Sequence, residues 1–219
     1  DAEGLKTAIE KGNFKVASVD KKPTKRNPYA PFTTSTLQQD ASSRLSLSPS
    51  RTMQIAQRLY EDGLITYMRT DAVQMAPEAI EAARRVIGKE FGTEYVPEKP
   101  RLYQTKAKNA QEAHEAIRPT DLGKHPDTLR NLDPDQHKIY QLIWRRALAS
   151  QMRSAEIERT TADIDVIAAG RAITLRATGS VVTFPGFLGV YGVEKTDEDD
   201  EDGKDLPALI DQFKAQIRS

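Results

Sequence analysis

Hydrophobic periodicity switches near Arg153, from a long helical zone to an antiparallel β pattern. Beyond Ser154, Ala162, Ile164 and Val166 alternate with Thr161, Asp163 and Asp165. After a turn at Gly170, Ile173, Leu175 and Ala177 alternate with Thr174, Arg176 and Thr178. Period two with one polar face is the pattern of a hairpin that wets one side.

Upstream the spacing is helical. Thr34 or Ser35 is placed to cap a helix through Leu37, Ala41 and Leu45. Ser48-Pro49-Ser50 opens a second, with Met53, Ala56, Leu59 and Tyr60 as its apolar face and Gly63 at the C-terminal glycine position. A short β-like run, Leu64 to Met68, follows. Pro77 starts a third helix that places Ile80, Ala83, Ile87 and Phe91 on one face. Asn109 is positioned to cap a short helix through Gln111 and His114, ending before Pro119. Asp133-Pro134, cap then first-turn proline, opens a last helix that buries Ile139, Leu142, Ile143, Trp144, Ala147 and Leu148.

Near the N-terminus, Leu5, Ala8 and Ile9 form a short helical pattern, and Phe14 to Val19 reads as a strand. The basic stretch Lys21 to Pro28, with prolines at 23 and 28, reads as an extended connector. The expected fold is therefore α+β: a mainly helical, winged-helix-like domain (27–153) inserted into an antiparallel, barrel-like β domain built from residues 1–26 and 154–219.

Charge narrows the function classes. Lysine plus arginine balance aspartate plus glutamate at 32 each, but Glu194 to Asp205 alone carries −6, leaving +6 on the rest. Such an acidic run is expected to be a solvated loop; the basic remainder suits phosphate ligands. The chain has no cysteine, no apolar run of membrane-spanning length and no signal-peptide pattern, so a cytoplasmic setting is expected.

The stretch most able to carry chemistry is Gly63-Leu64-Ile65-Thr66-Tyr67-Met68-Arg69-Thr70-Asp71. A tyrosine in an extended run is most often a packing residue. A tyrosine two residues before an arginine is also a workable phosphodiester nucleophile, because in a strand both project to one side. An ordinary phenol has a pKa of about 10, so roughly one in a thousand is ionised at neutral pH. Removing that deficit takes a base, or cations worth about 4 kcal/mol. Arg69 is one such cation, with a guanidinium that can also clamp a phosphate.

This nonapeptide resembles the active-site segment of bacterial type IA DNA topoisomerases. Two further stretches resemble that family in the same order: Pro31-Phe32-Thr33-Thr34-Ser35-Thr36-Leu37-Gln38-Gln39 and Gln111-Glu112-Ala113-His114-Glu115-Ala116-Ile117-Arg118-Pro119-Thr120. Ala56 to Tyr60 and Leu142-Ile143-Trp144 extend the likeness, while Ala72 stands where many members have serine.

The resemblance implies that Tyr67 attacks single-stranded DNA to form a 5′-phosphotyrosine link, relaxing negative supercoils without ATP. Consistently, no Gly-x-x-x-x-Gly-Lys-Ser/Thr loop is present. It implies that Arg69 positions the phosphate, that His114 contacts DNA near the cleavage point, and that Arg118 contributes phosphate binding or structural support. Magnesium would be bound outside this chain by a toprim domain, whose Asp-x-Asp-x-Glu strand end is missing here. The chain, opening at Asp1-Ala2-Glu3-Gly4, reads as a fragment expected to be inactive alone and nucleoid-associated in the cell. The helical domain would swing as a gate on a β hinge, with Lys21 to Pro28 and the chain near Arg153 as the connectors that bend.

No metal site is expected in the chain: Asp163 and Asp165 share a strand face but lack a third carboxylate, and the acidic run lacks a calcium loop's spacing. His125 and His137 read as surface residues, and Tyr140 and Trp144 as core. Two other readings compete: a non-catalytic winged-helix DNA-binding regulator, and an interaction module that uses the acidic loop.

Overall fold

The computed structural model describes residues 4, 9, 12–104, 115–168 and 170–192. The segment from Asn109 through His114, residues Leu5 and Ala8, and the acidic run from Glu194 to Asp205 lie outside them. Described elements run β1 (Phe14–Arg26), α1 (Thr34–Leu45), α2 (Pro49–Glu61), α3 (Pro77–Glu90), α4 (Pro134–Ser150), β2 (Ala155–Ala168) and β3 (Arg171–Phe184). Short 3-10 turns lie at Thr93–Tyr95, Pro126–Thr128 and Gly186–Tyr191.

The chain forms two compact units. One contains Asp1–Arg26, Ala155–Pro185 and Val193–Ser219; the other contains Asn27–Ser154 together with Gly186–Gly192. The fold is mixed α and β.

In the first unit the three strands form an antiparallel sheet in the order β1-β2-β3. Thr160, Ala162, Ile164, Val166 and Ala168 of β2 are buried, reproducing the period-two pattern. Gly170 supplies the positive φ (72°) that turns β2 into β3. The other face is polar: Asp163 takes two guanidinium N–H bonds from Arg176 at 2.7 and 3.1 Å, and Thr174 donates to Asp165 at 2.7 Å. The paired aspartates thus serve cross-strand contacts. The Arg176 guanidinium holds the Asp163 carboxyl below its ordinary pKa.

One expectation changes here. Lys21 to Arg26 is not a free connector but the second half of β1, pairing Lys21 with Thr160 through Arg26 with Ala155. Pro23 is tolerated because β1 is an edge strand, where a missing N–H need not interrupt a ladder. The chain near Arg153 is likewise held: the Arg153 amide donates to Tyr95 O at 2.9 Å, and Ser154 Oγ donates to Asn27 Oδ1 at 2.6 Å. Lys21–Arg26 is thus a paired strand end and the chain near Arg153 a bonded loop. The described strands form an open sheet, and barrel closure is not seen among them.

Three of the four described helices of the second unit start where a side chain caps their free N–H groups, α3 being the exception. Thr33 and Thr36 form a reciprocal capping box on α1, placing the cap one or two residues before the expected position. Ser48 caps α2 with Pro49 in the first turn, and Asp133 with Gln136 forms a capping box on α4. The core is α4: Ile139, Ile143, Ala147 and Leu148 are fully buried. Tyr140 donates to Lys124 O and Trp144 Nε1 to Leu122 O, each at 2.9 Å, so both rings are core residues with partnered polar tips. Burial pushes the Tyr140 phenol well above its ordinary pKa.

On α2 the buried face is Thr52, Ile55, Ala56 and Leu59, rotated from the expected one, and Tyr60 is 43% exposed. Leu64 to Met68 is not a strand. Ile65 makes one isolated antiparallel bridge to Pro119, and Phe32 makes another to Ile117. Among the described residues of this unit there is no two-stranded wing.

Candidate active site

The loop carrying Tyr67 begins at a helix stop. Gly63, at φ 70°, lets the chain leave α2 in a Schellman turn: Gly63 N donates to Tyr60 O and Leu64 N to Leu59 O, each at 2.9 Å. Residues 64–70 are then bonded on both sides. On one side, Thr66 N donates to Arg118 O (2.9 Å) and Thr120 N to Leu64 O (3.0 Å). Thr66 Oγ1 donates to Ala116 O (2.6 Å) and accepts from Arg118 N (3.0 Å). On the other side, Thr34 at the start of α1 gives its N–H to Thr70 O (2.9 Å) and its hydroxyl to Met68 O (2.8 Å), and accepts from Thr70 N (2.9 Å).

Two threonines therefore clamp the backbone on either side of Tyr67 and Arg69. The three segments singled out in the sequence, around Thr34, Tyr67 and Arg118, form one hydrogen-bonded cradle. Ile65 and Met68 anchor it in the core at 1% and 4% exposure, while Tyr67 is 46% exposed and Arg69 is exposed. Both are exposed on a bridged loop rather than on a strand. No hydrogen bond engages either side chain among the described residues. The ring contact of Tyr67 is with Tyr60, at 5.3 Å between centroids and 68° between planes.

Arg118 is placed differently. Its guanidinium donates to both oxygens of Glu115 (2.6 and 2.9 Å) and to Pro119 O (2.8 Å), and its side chain is 13% exposed. Glu115 also accepts from Ala76 N at 2.6 Å, at the start of α3 where a carboxylate is favoured. Arg118 thus supports the loop through its backbone and through a fork-to-fork ion pair. His114 lies outside the described residues.

Thr34, Thr66 and Glu115 were not singled out by sequence reasoning for these positions. The signal available was that each sits inside one of the three characteristic segments. Among the described residues, no three His, Cys, Asp or Glu come close enough to hold a metal ion.

The site thus presents an exposed tyrosine and, two residues on, an exposed arginine, on a backbone bonded from both sides. The family model for DNA topoisomerase matches residues 1–218. DNA topoisomerase 1 of Zymomonas mobilis is 55% identical over 190 residues, covering 87% of this chain and 15% of the relative. That of Rickettsia felis is 43% identical, covering 97% and 28%. The structure of full-length topoisomerase I from Thermotoga maritima superposes with a TM-score of 0.75 at 38% identity, over 93% of this chain and 34% of that one. This chain belongs to the bacterial type IA DNA topoisomerases. It spans about a third or less of the lengths of these relatives.

Proposed function

We propose that this chain supplies the nucleophile of an enzyme that cuts and rejoins single-stranded DNA, and so relaxes negative supercoils. The observation that carries the reading is Tyr67: 46% exposed, two residues from exposed Arg69, on a loop whose backbone is fixed on both sides. The Tyr67 hydroxyl attacks phosphorus as the bond to the 3′ oxygen breaks, leaving a 5′-phosphotyrosine and a free 3′ hydroxyl. The phenol gives up one proton and the leaving oxygen gains one, so protons balance. Religation runs the same exchange backwards; one ester replaces another, and no nucleotide is consumed.

Arg69 holds the phosphate and offsets charge that develops on it. His114 is proposed to contact DNA near the same phosphate. Arg118, engaged with Glu115, is proposed to act chiefly by holding the segment that pairs with the Tyr67 loop. Magnesium is proposed to be bound outside this chain; the described residues offer no group that fits it, and no step here passes through a metal. The barrel-like β domain, the winged-helix likeness, the gate motion of the helical unit and a nucleoid setting belong to this same reading. None of the described helices is long and apolar enough to cross a membrane.

The test is Tyr67→Phe in a full-length enzyme carrying these residues. Loss of the covalent DNA adduct, with single-strand binding retained, is the expected result. An adduct that persists overturns the assignment, and sequence-specific duplex binding that tolerates the substitution would point to a regulator instead. The chain alone, incubated with negatively supercoiled plasmid and magnesium, is expected not to relax it.

A further inference from the structure

We infer that Tyr60 is a positioning residue for Tyr67, its ring holding the phenol in one rotamer; the inference rests on Tyr67 being the nucleophile. The backbone of residues 66–70 is tied down by Thr34 and Thr66, but those bonds stop at the main chain. The Tyr67 ring itself makes no hydrogen bond among the described residues. An exposed tyrosine is free to visit several staggered χ1 wells. A nucleophile gains rate only from the well that brings its oxygen within reach of phosphorus, about 3 Å.

The group placed to select that well is Tyr60, edge-to-face with Tyr67 at 5.3 Å and 68°. That is the preferred geometry of an aromatic pair. The Tyr60 main chain is itself fixed. It lies in the last turn of α2 between the fully buried Leu59 and the Schellman turn, in which its own carbonyl accepts from Gly63 N at 2.9 Å. The 43% exposure of Tyr60 also needs an explanation, because a large ring facing solvent at a helix end is otherwise replaceable by any polar side chain. Its contact with the nucleophile supplies one. The same helix stop that aims the loop therefore also brings the ring against which the phenol rests.

Single-turnover cleavage of a single-stranded oligonucleotide by the full-length enzyme tests this. Tyr60→Leu, which keeps apolar bulk but removes the ring, should slow cleavage about two- to tenfold, the range an edge-to-face pair supplies. Its oligonucleotide affinity, measured by fluorescence anisotropy without magnesium, should be unchanged. Tyr60→Phe keeps the ring and should restore most of the rate. Equal damage from Phe and Leu would assign the role to the Tyr60 hydroxyl and overturn the inference. Weakened binding at an unchanged cleavage rate would make Tyr60 a DNA contact, and no effect at all would leave it a surface residue; both outcomes also overturn it. A second readout does not depend on catalysis. In ring-labelled chain, the NMR ring-current shift of Tyr67 should persist in Tyr60→Phe and vanish in Tyr60→Leu. A Tyr67 resonance indifferent to both changes removes the contact itself. Tyr67→Phe run beside these variants shows separately whether the nucleophile assignment stands.

Discussion

The helical unit and the sheet keep their shape by different means. In the helical unit, three of the four described helix starts are capped by side chains, buried tyrosine and tryptophan tips have carbonyl partners, and the loop that carries exposed Tyr67 and Arg69 is bonded on both sides. In the sheet, long strands rely on their ladders and on one buried row along β2, while β1 is exposed over nearly its whole length. The proposed nucleophile sits where the backbone is bonded from both sides. The sheet, held by repeated weak contacts, is the part that can lose any one of them.

The sharpest way to break this comparison is through the core of α4. Ile143→Ala removes a fully buried side chain and should destabilise the helical unit by about 2–5 kcal/mol in denaturant unfolding followed by Trp144 fluorescence. A loss below about 1 kcal/mol would mean the core is loosely packed and the comparison wrong. Alkaline pH should act next. The Tyr140 phenol titrates well above its ordinary pKa because it is buried, and Tyr103 is raised for the same reason. The unfolded chain loses these protons near pH 10 while the folded one keeps them. Stability is therefore full below pH 10 and falls above it, by up to about 1.4 kcal/mol per pH unit for Tyr140, with Tyr103 acting in the same direction. Tyr140→Phe should flatten that slope in unfolding curves between about pH 10 and 11.5.

A smaller effect is expected from Ser48→Ala, which removes the α2 cap bond to Arg51 N and should cost about 1 kcal/mol. Smallest of all, Arg176→Ala breaks an exposed cross-strand pair, and the melting temperature should not move measurably. A clear drop there would show that the sheet depends on individual contacts as strongly as the helical unit does.

Much of this contrast can be read from residues alone. Ser48-Pro49, Asp133-Pro134, Gly63 and the Ile139-to-Leu148 face are legible because caps, turn glycines and helical spacing act within a few residues. The alternation around Ala162 to Val166 is legible for the same reason. What escapes depends on contacts distant in sequence. Pro23 reads as a break, and only pairing at an edge lets β1 run on to Arg26. Leu64 to Met68 has strand-like composition but finds a single bridge, to Pro119. Gly186–Gly192 follows the sheet in sequence yet belongs with the helices, tied by Phe187 N to Arg153 O at 2.9 Å. At the site, the exposed pair Tyr67 and Arg69 is visible as a motif. The clamping threonines and the Glu115–Arg118–Ala76 group are not, since their roles depend on which carbonyl or amide lies opposite. Tyr60 falls on the other side of α2 from the one expected, because an aromatic at helical spacing reads as core.

The pairing of Arg26 with Ala155, continued by the Ser154–Asn27 bond, has a consequence for protein engineering. Asn27 to Ser154 is one continuous insertion between Arg26 and Ala155, and its two ends are bonded to each other. Its two ends could be spliced by a tight turn to free the sheet, or joined to each other to give a circular helical module. The short return segment Gly186–Gly192 is the one piece such a transplant would have to carry along.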